Sequence, residues 1–335
     1  MIPRDKIAGA LYGVALGDAL GRPMEFMKLH DIHRRFGKSG VMQLSRPALF
    51  TDDTQMTLAV STAIWKARTL TPLEMTRTLR QAFIAWEQRD PARAPGVTCL
   101  TAIRRMKHSK RMSWVDATVV SSKGCGANMR VAPAAFIRDV PTALGVAQLQ
   151  AAMTHGHPVA LVATELTALA IRWAAMDMPL TSMVNRLLAH TVTQMKIDSY
   201  RGDWLGRLSR RWPASARAST DYAYRECANA LLDLRSLLRR GDRPKNVCKV
   251  LGGGWVAEEA LVLGLYFAVT HRDNAPLAIS EAARTSGDSD SIASIAGAII
   301  GASLGENAWP LRWRKDIERR QEIEQAIDVA EVSIR

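Results

Sequence analysis

Cysteine is scarce in this chain. Its 335 residues contain four, Cys99, Cys125, Cys227 and Cys248, all far apart. No CxxC pair or disulfide framework is present, and the seven histidines make no zinc-ligand spacing with the cysteines. A disulfide-stapled scaffold and a structural zinc site are therefore excluded, and a reducing cytoplasm is the expected setting. Long apolar runs are lacking as well. The N-terminal stretch MIPRDKIAGALYGVALGDALG is interrupted by Asp18 and has no cleavage-type ending. The run 292–304 falls below the ~20 residues that a bilayer span requires. Neither a signal peptide nor a membrane segment is expected. Strand-like alternation never persists beyond a few residues and β-branched runs are rare, so strands are at most a minor component. Acids are outnumbered: 45 Lys and Arg face 32 Asp and Glu, for a net charge of +13 and a pI near 10.0.

That positive excess is concentrated in two places. Arg104, Arg105, Lys107, Lys110 and Arg111 stand together with no acid among them, and residues 196–249 carry thirteen basic against six acidic side chains. Such stretches read first as a solvated basic surface, with a nucleic acid or an acidic protein as the alternative partner.

Helical periodicity fills the rest. Segments 54–69, 72–88, 158–175, 257–270 and 291–304 repeat apolar residues at three- and four-residue spacing. Gly9, Gly13, Gly17 and Gly21 recur every fourth residue, and Gly297, Gly301 and Gly305 repeat the spacing near the other end. Glycine inside a helix costs roughly 1 kcal/mol against alanine. Two such ridges therefore predict helix backbones in close approach. Loops are expected at 37–47, 90–96, 121–128 and 273–276, where Gly, Pro, Asn and Ser cluster. No linker or internal repeat divides the chain, which predicts one all-α domain over 1–335, a monomer by default. Its hydrophobic fraction of 47% is ample for a core without staples.

The chemistry gathers in two short segments. Phe50-Thr51-Asp52-Asp53-Thr54 precedes QMTLAVSTAIW, and Ser286-Gly287-Asp288-Ser289-Asp290-Ser291 precedes IASIAGAIIGA. Either alone is adequately explained as a helix cap, because Ser, Thr and Asp cap and acids complement the helix dipole. A cap needs one oxygen, however, and each segment offers at least three. If both meet, four carboxylates in one volume repel unless cations neutralise them. Hard divalent ions such as Mg²⁺ or Mn²⁺ suit an all-oxygen site. Whether the segments meet is left open by the sequence.

Other islands are Gly17-Asp18-Ala19-Leu20-Gly21-Arg22-Pro23-Met24-Glu25-Phe26, Gly124-Cys125-Gly126-Ala127-Asn128-Met129-Arg130, Thr154-His155-Gly156-His157-Pro158 and Gly254-Trp255-Val256-Ala257-Glu258-Glu259. Taken singly they read as turns, a structural histidine and a core aromatic. The glycine pair also suits backbone N–H groups presented to a phosphate.

In this order the islands resemble the ADP-ribosylglycohydrolase family. The matching elements are GALYGVALGDALGRPMEF, TDDTQMTLAV, GCGANMRVAPAAF, THGHPVA, GGGWVAEEAL and SGDSDSIASIAGAIIGA, spanning about residues 7–305. The resemblance implies a compact orthogonal multi-helix bundle with two Mg²⁺ or Mn²⁺ ions at the base of a cleft. By position, Thr51, Asp52, Asp53, Asp288, Asp290 and Ser291 would be metal ligands. Family members usually have Thr where this chain has Ser291, and serine keeps the hydroxyl. Glu25 and Asp53 would be the catalytic acid–base candidates. Gly124, Gly126, Met129, Arg130, His155 and Trp255 would contact the ADP-ribose. The implied activity removes ADP-ribose from arginine on a modified protein. Alternatives are a serine or nucleic-acid linkage, or immunity against an ADP-ribosylating toxin. Because the chain starts almost at the first motif, no N-terminal plug for steric blocking is expected.

Overall fold

The computed structural model describes residues 2–89, 93–108 and 112–333. Among these there is no β-strand, only isolated bridges such as Gly124 with Val256. Helices of eight or more residues are α1 (Arg4–Gly21), α2 (Leu29–Phe36), α3 (Asp52–Lys66), α4 (Pro72–Arg89) and α5 (Val97–His108). They continue with α6 (Val140–Ala152), α7 (Pro158–Ala175), α8 (Leu180–Gln194) and α9 (Ala216–Arg240). The chain ends with α10 (Ala257–Thr270), α11 (Ala275–Ala283), α12 (Ser289–Leu304) and α13 (Arg320–Ser333). The part of the expected loop 90–96 that covers residues 90–92 lies outside the described residues, as do Lys110 and Arg111 of the first basic cluster.

The two glycine ridges are the axis of the fold. Helices α1 and α12 run antiparallel with their backbones touching. A Cβ on Gly9 would land on the Gly301 carbonyl, one on Gly13 on that of Gly297, and one on Gly17 on that of Ala293. The series ends at Gly21, which faces the backbone of Asp290. This seam therefore fixes where the first turn of α12 lies relative to the exit of α1, and so sets the acidic residues of both.

Periodicity located α7 and α10 to the residue, but α3 and α12 begin two residues earlier than it indicated, at Asp52 and Ser289. Their first turns are made of acids and hydroxyls that carry no apolar repeat. The amphipathic reading also needs correction for α7. Every residue of it except Trp173 is buried. Among the described residues it is the one helix long and apolar enough to cross a membrane, and it sits inside the fold.

Within α7, Glu165 is fully buried and joins four other segments. It accepts from Gln148 Nε2 of α6 (2.6 Å), Arg201 Nε (3.1 Å) and Tyr224 Oη of α9 (3.0 Å), and lies 2.9 Å from His190 Nε2 of α8. Burial alone would raise its pKa, but Arg201 and His190 outweigh that and pull it down to about 2. Two members of the first basic cluster are likewise paired: Arg104 and Lys107 hold Glu87 of α4 at 3.1 and 2.8 Å. All four cysteines are free.

Candidate active site

The two acidic segments meet. Thr51 is the N-cap of α3: its Oγ1 accepts from Asp53 N at 3.3 Å and lies 3.3 Å from Asp290 Oδ2, to which it donates. One hydroxyl thus links both segments. Capping does not explain the acids themselves, since the Asp288 side chain caps nothing at the start of α12. Its backbone N–H instead donates to Gly253 O at 2.8 Å, which docks the 252–255 loop beside the cluster.

Asp18 holds this junction from below. It is fully buried and accepts from Thr51 N (2.8 Å), Thr54 N (2.9 Å) and Thr54 Oγ1 (2.6 Å). Sequence reasoning noted Asp18 only as an interruption of an apolar run. A carboxylate inside an otherwise apolar, glycine-ridged helix was the signal that it must serve buried donors.

The electrostatics match a site built for added positive charge. Burial, then repulsion by Asp290, pushes the Asp18 carboxyl up to about 7 and the Glu25 carboxyl up to about 8. The same two causes hold Asp52, Asp53 and Asp288 well above the ordinary range, and burial raises Asp290. Glu25, Asp288 and Asp290 each offer an oxygen within 4.8 Å of the others, close enough to share one ion. Asp53 Oδ2 is buried without a hydrogen-bond partner. The Ser291 hydroxyl faces sulfur, with Cys125 Sγ and Met129 Sδ each 3.8 Å away. Cys125 donates to Asp288 Oδ2 at 2.6 Å, and burial followed by Asp288 keeps its thiol protonated. The available donors are therefore hard oxygens, with a thiol rather than a thiolate beside them.

A cleft of about 360 Å³ opens over this cluster. The acids Glu25, Asp52, Asp53, Asp288 and Asp290 line its base with Ser291. Gly124, Gly126, Met129, His155 and Trp255 line the same cleft, so eleven of the thirteen candidate residues share it. Thr51 sits behind the base as the linking hydroxyl. Arg130 does not reach the cleft: it is fully buried, over the Phe83 ring at 4.7 Å, donating to Gln150 Oε1 (2.7 Å) and Thr154 Oγ1 (2.8 Å). Gln150 in turn donates to Ala127 O (2.9 Å), and Thr154 Oγ1 lies 2.9 Å from His155 Nδ1. Arg130 thus acts on the cleft through the glycine loop and His155.

The ring of His155 fits against Gly124 and Gly126, where a Cβ would stand 3.3 and 3.1 Å from it. Burial first, then Arg130, pulls its pKa down to about 3, so the imidazole is neutral at physiological pH. The glycine loop is not an open amide cradle: Cys125 N donates to Trp255 O, and Asn128 N and Met129 N to Cys125 O. The amino end of α5, which has no acid in its first turn, borders the cleft at Gly96, Val97 and Thr98 instead. At the mouth, Trp255 is not core: it is 43% exposed and stacks on Phe26, ring centroids 5.4 Å apart. Phe26 is 72% exposed and has φ +66°, a left-handed backbone that aims its ring over the opening.

The sequence profile of the ADP-ribosylglycohydrolase family matches residues 1–334. The chain belongs to this family. It is 34% identical over 163 residues to the ADP-ribosyl-[dinitrogen reductase] glycohydrolase of Rhodospirillum rubrum, a match covering 46% of this chain and 53%, about half, of that relative. The human ADP-ribosylhydrolase ARH3 is 25% identical over 95% of this chain and 90% of its own length. The ADP-ribosylarginine hydrolase Tri1 of Serratia proteamaculans is 22% identical over 95% of this chain and 77% of its own. A solved structure described as an ADP-ribosylglycohydrolase-related protein complex superposes with a TM-score of 0.66 over 98% of both chains at 23% identity, which establishes the fold. As an ADP-ribosylglycohydrolase, the chain is a hydrolase of ADP-ribosyl groups.

Proposed function

We propose that the protein releases ADP-ribose from arginine on a modified protein, using two Mg²⁺ or Mn²⁺ ions held by Thr51, Asp52, Asp53, Asp288, Asp290 and Ser291. The observation that carries the metal reading is the unpartnered, buried Asp53 Oδ2 amid carboxyls that enter no salt bridge among the described residues. A buried carboxylate oxygen with neither hydrogen bond nor counter-charge is costly, and a cation removes that cost. When bound, such ions supply Lewis acidity and lower the pKa of a nearby water.

The chain's own residues would do the rest. Cleavage at C1″ of the ribose develops oxocarbenium character, which the carboxylates beneath it favour electrostatically. Glu25 reaches the base of the cleft from the half-buried exit of α1, beside the solvent opening, and is better placed than Asp53 to exchange a proton with water. Neutral His155 offers a hydrogen bond without adding charge. The amino end of α5 suits the pyrophosphate, since helix N–H groups and the dipole favour anions. Phe26 and Trp255 present aromatic surface at the mouth for the adenine end.

Arginine linkage is supported by the relative named as an ADP-ribosylarginine hydrolase, and a protein-borne ADP-ribose by the relative named for dinitrogen reductase. The test is release of free ADP-ribose from arginine-linked, serine-linked and nucleic-acid-linked substrates in parallel. Preference for arginine by at least tenfold in kcat/KM is expected. A preference for serine or nucleic acid would overturn the linkage while retaining the site.

A further inference from the structure

A second cavity, about 740 Å³ in volume, shares no lining residue with the acidic cleft. Three parts of the chain wall it: α2 with the turn after it, the 243–247 segment that follows α9, and the facing residues of α10 and α11. Four permanently charged cations, Lys38, Arg243, Lys245 and Arg284, line it against a single carboxylate, Glu281. The local excess is therefore three positive charges.

Arg284 makes the cavity more than a basic surface. It is 5% exposed, and its NH1 is held by Gly40 O (2.6 Å) and Glu281 Oε1 (3.1 Å). Its Nε has no hydrogen-bond partner. Buried guanidinium N–H groups are normally satisfied, so Arg284 brings to the wall of the cavity a cation that its neighbours pair only in part. Lys38, Arg243 and Lys245 are exposed and enter no salt bridge among the described residues. Apolar wall comes from Leu29 and Leu277. The volume falls in the ordinary range of small-molecule sites, about 300–1,000 Å³. Three uncompensated positive charges suit a phosphate dianion better than a monocarboxylate.

We propose that this cavity is a second ligand site, for a small phosphate-bearing molecule whose phosphate is met by Arg243 and Lys245, with the Arg284 guanidinium in the wall behind them. It assigns a role to the end of the basic 196–249 stretch. It also places the ligand near the acidic cleft. Arg284 and Thr285 lead directly to Ser286, whose Oγ accepts from Asn246 Nδ2 at 3.0 Å, and then to Asp288 at the cleft base.

Calorimetric titration of the full chain with glycerol 3-phosphate and with inorganic phosphate, glycerol serving as the uncharged control, tests it; neither carries an adenine for the aromatic mouth of the other cleft. The variants are Arg243→Ala/Lys245→Ala, both exposed positions whose loss leaves the core intact, and Trp255→Ala at the mouth of the other cleft. Glycerol 3-phosphate or phosphate is expected to bind, to bind at least tenfold more weakly in the double variant, and to bind unchanged in Trp255→Ala; glycerol is expected not to bind. The proposal is overturned if neither anion binds, if the double variant binds both as well as the wild type, if Trp255→Ala alone abolishes binding, or if glycerol binds as tightly as glycerol 3-phosphate.

Discussion

Six carboxyls surround the base of the cleft, and without cations each holds its proton more tightly than an isolated acid does. Asp18 and Glu25 rise from 3.8 and 4.5 to about 7 and about 8, burial being the larger cause. A carboxyl whose pKa is raised on folding takes up protons as the chain folds. Its contribution to stability is complete below the unfolded pKa and is lost as pH rises through the folded one. The metal-free protein should therefore melt at a lower temperature at pH 8.5 than at pH 5, and saturating Mn²⁺ should shrink that difference. A flat melting profile in EDTA across this window would show that the carboxyls are not crowded as described. Asp18 touches the cleft only through Thr51 and Thr54. Removing it in Asp18→Ala should weaken Mn²⁺ roughly 10–100-fold, the usual consequence of losing a residue that orients metal ligands. Unchanged Mn²⁺ affinity in a folded Asp18→Ala protein would deny it that role. Asp18 and Glu165 were both legible in principle, each a lone acid in a buried apolar helix. What could not be read was which distant donors they would meet.

At the level of helices, the α1–α12 seam sets two effects against each other at Gly297. Alanine has the better helix propensity by roughly 1 kcal/mol. Its Cβ would strike the Gly13 carbonyl, a backbone atom that cannot swing away. Overpacking of this kind costs typically about 1–3 kcal/mol, so Gly297→Ala should lower stability in urea denaturation. Equal or greater stability would mean that the backbones are not in contact. The Glu165 network makes a second demand. Glu165→Ala would strand the Arg201 charge, and breaking a buried pair in this way costs about 3–5 kcal/mol. Chemical denaturation of that variant should show a loss of this size, and a change under 1 kcal/mol would place the network at the surface. The seam itself was legible in the glycine spacing, because the cost of so many helical glycines demands a packing reason. The starts of α3 and α12 were hidden, because their first turns belong to the site and carry no apolar repeat.

Across the whole molecule, the order of the short motifs carried more than composition did. Six islands spread over about three hundred residues converge on one cleft, and no periodicity could have shown that Thr51 would reach Asp290. The family resemblance supplied that convergence. The net charge of +13 did not disclose its own use: part of it is spent internally, on Glu87, and part lines the second cavity. The account as a whole depends on the acidic base of the cleft holding the catalytic cations. The most direct test is release of free ADP-ribose from an ADP-ribosyl-arginine protein after EDTA treatment, after restoration of Mg²⁺ or Mn²⁺, and with the Asp52→Ala/Asp53→Ala variant alongside. Activity that is lost in EDTA, returns with the metal and stays absent in the variant is the predicted result. Full hydrolysis in EDTA, or by the variant, would contradict it.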